Sequence, residues 1–203
     1  MINKIGILTS GGDAPGMNAC IRDVTRYAIQ KGLAVEGIVR GYEGLLHHET
    51  MPLDRRAVGA IIHRGGTLLR TARCLEFTKK EIQQKAADYL RELEIDALVV
   101  VGGDGSMKGA QALSRCGIPT ITIPGTIDND MMGTQYTVGF DTSVNTVLES
   151  VNKIRDTAFS HDRVAVVEVM GTPRWLDCTS CRHGFWCRSS FGTRTPSGFR
   201  IIM

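Results

Sequence analysis

The 203-residue chain has no run of 18 or more apolar residues, so no membrane span is expected. Its N-terminus, MINKIGILTSGGD, lacks the longer apolar segment and small-residue cleavage site of a secretory signal. The expectation is a cytoplasmic protein without a membrane partner. There is also no disulfide framework to read. Cys20, Cys74 and Cys116 are widely scattered, and Cys178, Cys181 and Cys187 crowd into the last 32 residues. Strong charge is missing too. The formal net charge is +3, but residues 172–203 alone contribute +4 and the rest is near −1. A basic surface for nucleic acid is therefore excluded as the reason for the charge. What remains is a soluble globular composition, 42% hydrophobic and 22% charged, with 23 glycines, above the usual share.

The first 170 residues alternate between two kinds of segment. Lys4–Leu8, Ala34–Val39, Ala97–Val101, Pro119–Ile123 and Arg163–Val169 read as strands, the third and the last as buried ones. Met17–Gln30, Thr78–Glu94, Met107–Arg115 and Val144–Ala158 carry helical periodicity, with Pro15 suited to starting the first helix and Gly32 to ending it. LDRRAVGAIIHRGGT reads as a short helix stopped by Gly65 and Gly66. This order predicts a three-layer α/β fold with a mainly parallel sheet and Rossmann-like βα units. Ligands of such sheets bind beyond the carboxyl ends of the strands, where the loops after Leu8, Val101 and Ile123 would lie.

Those three loops carry the chemistry. TSGGDAPGMN places Gly11 and Gly12 before a helix N-terminus, a setting that favours an anion, although it matches neither GxxxxGK[ST] nor GxGxxG. An ordinary βα turn is the alternative. VVVGGDGSMKGA sets Asp104 among Gly102, Gly103 and Gly105, with the next helix beginning near Ser106. A carboxylate among phosphate-binding amides would repel phosphate unless a cation stood between them. Asp104 therefore reads as a partner of Mg²⁺, with a turn or capping role as the alternative. PGTIDNDMMGT holds Thr126, Asp128 and Asp130. One aspartate could take a proton from a hydroxyl, or both could merely form Asx turns. Three such loops on one edge together suggest phosphoryl transfer.

Four stretches, GILTSGGDAPGMN, VVVGGDGS, PGTIDND and SHDRVAVVEVMG, closely resemble the bacterial 6-phosphofructokinases over residues 1–171. The resemblance implies transfer of the γ-phosphoryl of ATP to the 1-hydroxyl of fructose 6-phosphate with Mg²⁺, by a glycolytic homo-oligomer. It implies Asp128 as general base, Asp104 on the metal–ATP complex, and Gly12, Tyr42, Arg73, Cys74, Gly103, Gly105 and Ser106 along the ATP site. Arg73 would steady the transferring phosphoryl. Thr126, Ile127, Met170 and Gly171 would flank the substrate, and Arg163 would reach the sugar phosphate of a neighbouring subunit. Arg22, Arg26, Arg55 and Arg155 match effector-site positions for a nucleotide diphosphate or phosphoenolpyruvate. Family members that use pyrophosphate carry Asp and Lys where this chain has Gly105 and Gly125, so both glycines imply ATP.

The resemblance stops after Gly171. Thr172 stands where the family has a substrate-contacting arginine, and residues 172–203 show neither amphipathic period nor lysine. DCTSCRHGFWCRS can be encoded so that a frame one base later reads Ile-Ala-Leu-His-Ala-Gly-Met-Ala-Ser-Gly-Ala-Glu, a helix of the family's kind. The expectation is a frameshifted tail that is not native-like, an incomplete second domain, and an ATP-binding domain in 1–171. Half a zinc site could be written from Cys178 and Cys181, with His183 and Cys187, but no second pair has the expected spacing. Little kinase activity is expected of this chain alone. Two other functions fit the loops less well: another kinase with a GGDG loop, and a non-catalytic nucleotide-binding fragment.

Overall fold

The computed structural model describes residues 2–170, 192–195 and 198–202. They form two compact units, residues 1–126 and 127–203. The first unit is built on a five-stranded sheet. Its elements in chain order are β1 (Lys4–Ser10), α1 (Met17–Gln30), β2 (Ala34–Ile38), α2 (Gly41–His47), β3 (Thr50–Pro52), a 3₁₀ turn at Leu75–Thr78, α3 (Lys80–Glu92), β4 (Ala97–Gly102), α4 (Asp104–Arg115) and β5 (Thr120–Pro124). The sheet order is β3-β2-β1-β4-β5. All neighbours are parallel except the β2–β3 pair at one edge.

Period-two alternation explains the three layers. Ile7 and Val99 face one way, joining Ile21 and Ala28 of α1 and Val58, Ile61 and Leu69 of the segment after β3. Leu8, Leu98 and Val100 face the other way, joining Tyr42 and Leu45 of α2, Leu90 of α3 and Ala110 and Leu113 of α4. Leu98, Val100 and Val101 have no exposed surface and Val99 very little, as a strand covered on both sides requires. The order β2-β1-β4 brings the carboxyl ends of β1 and β4 side by side, with Ser10 opposite Gly102. The crevice outside these ends is where such sheets bind ligands.

Several elements differ from expectation. The helix expected after Leu53 is absent. Asp54 caps one turn by accepting from the backbone N–H of Arg56 and Ala57, and the turn closes at Gly59. Beyond it the backbone bonds elsewhere: the N–H of Arg40 donates to the carbonyl of Leu69, and Asn18 bonds to Arg64 and Leu68. The short helix α2 and the antiparallel β3 were not anticipated. Helix α4 starts at Asp104 rather than Met107, whereas α1 spans Met17–Gln30 as its periodicity indicates.

The second unit contains α5 (Phe140–Ser160), β6 (Val166–Val169), β7 (Gly192–Thr195) and β8 (Gly198–Ile202), the strands forming a separate antiparallel sheet ordered β6-β8-β7. The expected burial of the 163–169 strand is not found: Val164 and Val166 are 76% and 60% exposed. A run of valines records preference for extended backbone, not the presence of a covering layer. The cysteines and histidine of the CTSC stretch lie outside the described residues, as does Gly171.

Gly44 tests the packing of the first unit. A Cβ there would overlap the carbonyl oxygen of Val39. That carbonyl cannot easily retreat, because Val39 donates to Glu49 and Glu49 donates back to Gly44. Gly44→Ala is expected to destabilise by about 3 kcal/mol or more, lowering Tm in thermal unfolding by well over 5 °C, an order-of-magnitude value for a domain of this size. An unchanged Tm would show that α2 is free to shift.

Candidate functional site

The crevice is held closed at its base by small residues. Ser106 is buried, and its hydroxyl donates to the carbonyl of Ser10 at 3.0 Å. A Cβ on Gly102 would stand only 2.5 Å from both Ser10 O and Ser106 Oγ. Gly11, with φ +91°, lies 3.5 Å from Ser106 Oγ at its Cβ position, in the left-handed region that favours glycine. The first and second glycine loops therefore meet at Ser106.

Gly103 is the N-cap of α4 and provides no side-chain cap, so Asp104 occupies the first helical position and is not the capping residue. Its carboxylate is 65% exposed and accepts from Lys108 Nζ at 2.6 Å, one helical turn on. That ammonium shows that a cation is accommodated on this carboxylate. The donor set otherwise suits Mg²⁺ bound mainly through phosphate oxygens and water, with one carboxylate from protein. Among the described residues no group of three or more His, Cys, Asp or Glu could hold a metal by itself. Gly105 has no atom within 4 Å of a Cβ position, so its side is open.

The first unit also holds the other expected residues Gly12, Tyr42, Arg73, Cys74 and Thr126. Tyr42 is only 5% exposed. Its hydroxyl donates to the carbonyl of Ser106 at 2.6 Å, and its ring stacks on Phe77 with centroids 4.2 Å apart. Burial raises its pKa above the ordinary phenol range. The structure thus places Tyr42 beneath α4, supporting the loop from below. Thr126 comes from the third loop, 3.8 Å from the Cβ position of Gly103. Arg73 is exposed and Cys74 half-buried. Burial, then Glu43, raises the Cys74 thiol pKa. This segment is tied to the first loop, because the Thr71 hydroxyl donates to the carbonyl of Gly11. Gly12 is exposed and meets nothing within 4 Å.

Asp128, Ile127, Arg163 and Met170 belong to the second unit. Asp128 and Ile127 are half-buried; Arg163 and Met170 are exposed. Desolvation first, then the charge of Asp130, raises the carboxyl pKa of Asp128. Asn129 braces this loop: at φ 49° its Oδ1 accepts from Thr137 N at 2.9 Å and its Nδ2 donates to Gln135 O at 3.1 Å. These bonds span six and eight residues, so Asn129 closes a wide loop rather than an Asx turn. Of the four arginines matched to an effector site, Arg22 and Arg26 lie one turn apart on α1. Arg55 is exposed in the turn after β3, and Arg155 on α5 stands 3.4 Å from Asp156.

Sequence reasoning missed three supporting residues. Asn18, 3% exposed, donates to Arg64 O and accepts from Leu68 N. Thr9, fully buried, bonds to Thr67 and to the carbonyl of Arg70. Lys108 pairs with Asp104, and only this last contact had a readable signal, the i,i+4 spacing of opposite charges.

The phosphofructokinase family model matches residues 4–174. The chain is 58% identical over 170 residues to ATP-dependent 6-phosphofructokinase 1 of Clostridium perfringens, covering 84% of this chain and 53% of that protein. It is 60% identical, with the same coverage, to ATP-dependent 6-phosphofructokinase of Clostridium acetobutylicum. The solved phosphofructokinase of Saccharomyces cerevisiae matches with a TM-score of 0.72 and 38% identity, over 78% of this chain and 25% of that one. The chain thus spans about half the length of the curated relatives it matches, and by its fold, its loops and these matches it belongs to the phosphofructokinase family.

Proposed function

We propose that these residues form the nucleotide half of an ATP-dependent 6-phosphofructokinase, transferring the γ-phosphoryl of ATP to the 1-hydroxyl of fructose 6-phosphate. The observation that carries the reading is the junction at Ser106. It brings two glycine loops together at the N-terminus of α4, with one exposed carboxylate beside them. Backbone amides of Gly103 to Ser106 and the α4 dipole would hold phosphate oxygens. Gly12, Cys74 and Thr126 would border the nucleotide, with Tyr42 fixing the helix turn from below. Asp104 would hold Mg²⁺, which when bound neutralises charge on the nucleotide phosphates. Arg73 would steady the transferring phosphoryl. Asp128 would accept the proton of the sugar hydroxyl, a task suited to a carboxyl whose pKa is raised. Thr126, Ile127, Met170 and Gly171 would flank the sugar, and Arg163 would serve a neighbouring subunit's sugar phosphate.

We place the nucleotide-binding domain, with the start of the substrate domain, in residues 1–171, and read 172–203 as an aberrant tail. Homo-oligomerisation, and effector binding at Arg22, Arg26, Arg55 and Arg155 by a nucleotide diphosphate or phosphoenolpyruvate, belong to the complete protein. A second reading, a non-catalytic nucleotide-binding protein, is favoured by the first unit holding both glycine loops while Asp128 belongs to the second.

Calorimetric titration is expected to show saturable binding of ATP with Mg²⁺. A coupled assay of this chain alone is expected to show no more than trace ADP release on adding fructose 6-phosphate. Absence of ATP binding overturns the reading; vigorous ADP release overturns the weak activity. Gly105 offers a sharper test. Its open side accepts a larger residue, and an acid in the first turn of a helix is favourable by about 0.3–1 kcal/mol. Gly105→Asp is therefore expected to keep or slightly raise Tm while weakening ATP binding at least roughly tenfold through charge repulsion. Parallel loss of both would show a structural role instead.

Asp128 gives a pH prediction. Its pKa is raised on folding, so the native state holds that proton more tightly than the unfolded state. The ionised carboxylate opposes folding above the raised pKa, and this penalty fades as pH falls through it. Asp128→Asn should melt higher than wild type near neutral pH, with the advantage shrinking toward about pH 4, near the ordinary carboxylate value. A variant that melts lower at neutral pH contradicts this.

A further inference from the structure

Resting on the nucleotide reading above, we propose that Lys108 is an internal counter-cation for Asp104, which lets the loop receive nucleotide phosphates without metal and releases the carboxylate when metal–nucleotide arrives. Three observations carry this. Lys108 Nζ lies 2.6 Å from Asp104 Oδ2, so an ammonium occupies one oxygen of the carboxylate assigned to the metal. The lysine side chain is 73% exposed and the aspartate 65%, so the pair is solvent-screened and exchangeable. The neighbouring Gly105 is open on its side, leaving room for a phosphate beside the pair.

The physical argument is one of charge. ATP without metal carries several negative charges, and an unpaired Asp104 at the mouth of the phosphate seat would repel it. Paired with Lys108, the site presents no net charge from this helix turn. With metal–nucleotide bound, Asp104 would face the cation, and Lys108 would be free to turn toward solvent on its flexible stem. An ordinary i,i+4 surface pair that only steadies α4 is the competing explanation. It predicts no link between Lys108 and the metal dependence of binding.

The test is calorimetric ATP binding to the 203-residue protein, once in EDTA and once with Mg²⁺. Lys108→Met is expected to weaken metal-free ATP roughly fivefold, the effect of one unit charge a few ångströms away in water, and to leave Mg²⁺–ATP within about twofold. Lys108→Arg should restore metal-free binding. In an Asp104→Asn background, Lys108→Met should no longer discriminate against metal-free ATP. If Lys108→Met matches wild type in EDTA, or weakens both forms equally, the inference falls while the functional reading stands. Equal weakening with and without Asp104 would mean that Lys108 touches phosphate directly, which also overturns it. If wild-type protein binds ATP under neither condition, the functional reading falls and takes this inference with it.

Discussion

The site depends on the close approach of three backbones at Gly102. The Ser106 hydroxyl reaches across to the Ser10 carbonyl, and there is no room for a side chain between them. This contact closes the ends of β1 and β4 against the first turn of α4. It fixes where the α4 N-terminus points, and with it the direction of the amides and of the Asp104 carboxylate. Tyr42 completes the clamp from the opposite side, donating to the carbonyl of the same Ser106. One residue is therefore held by the Tyr42 hydroxyl, 64 positions away in sequence, and by the Ser10 carbonyl, 96 positions away. A serine here serves better than a larger residue because its hydroxyl is fully engaged at the shortest reach, leaving only backbone to face a ligand.

The second constraint is the way the segment between β3 and α3 is laid over the first loop. It has almost no secondary structure of its own, so its backbone groups must bond outside it. Asn18 provides both a donor and an acceptor, to Arg64 and Leu68; Thr9 and Thr71 add hydroxyls. Val58, Ile61 and Leu69 fill the α1 side of the sheet like pegs. Arg73 and Cys74 follow directly on this anchored strap, with Cys74 packed against the core beside Tyr42 and Phe77. A regular helix over the same residues would have consumed those backbone groups internally and left Asn18 and Thr9 without their partners.

The parallel core was legible because burial on both faces leaves an unmistakable run, as in Ala97 to Val101. The glycine loops were legible because they interrupt such runs. What escaped was set by tertiary contact. Helix α2 has seven residues bounded by Arg40 and His48, both at positive φ, and no periodicity can announce so short an element. Its reason is packing: Tyr42 and Leu45 face the core. The strap looked helical because Asp54 and the apolar spacing imitate a helix start, which the structure realises for a single turn. Tyr42 could be associated with the loop by resemblance, but its place underneath came from its burial alone. The valines of β6 showed strand preference and gave no information on what lies over them.

The glycines separate fold from function. Gly102 is required because a Cβ would strike Ser10 and Ser106, and Gly11 because its φ is positive. Among the described residues, Gly12, Gly65 and Gly105 have neither reason: open space surrounds each, and none has left-handed φ. In a helix such as α4, glycine in place of alanine costs roughly 0.5–1 kcal/mol. The chain bears that cost at Gly105 with no return inside the protein. The room left at Gly12 and Gly105 makes physical sense if something outside the chain comes close to the backbone there, and the surrounding amides and helix dipole make that something an anion.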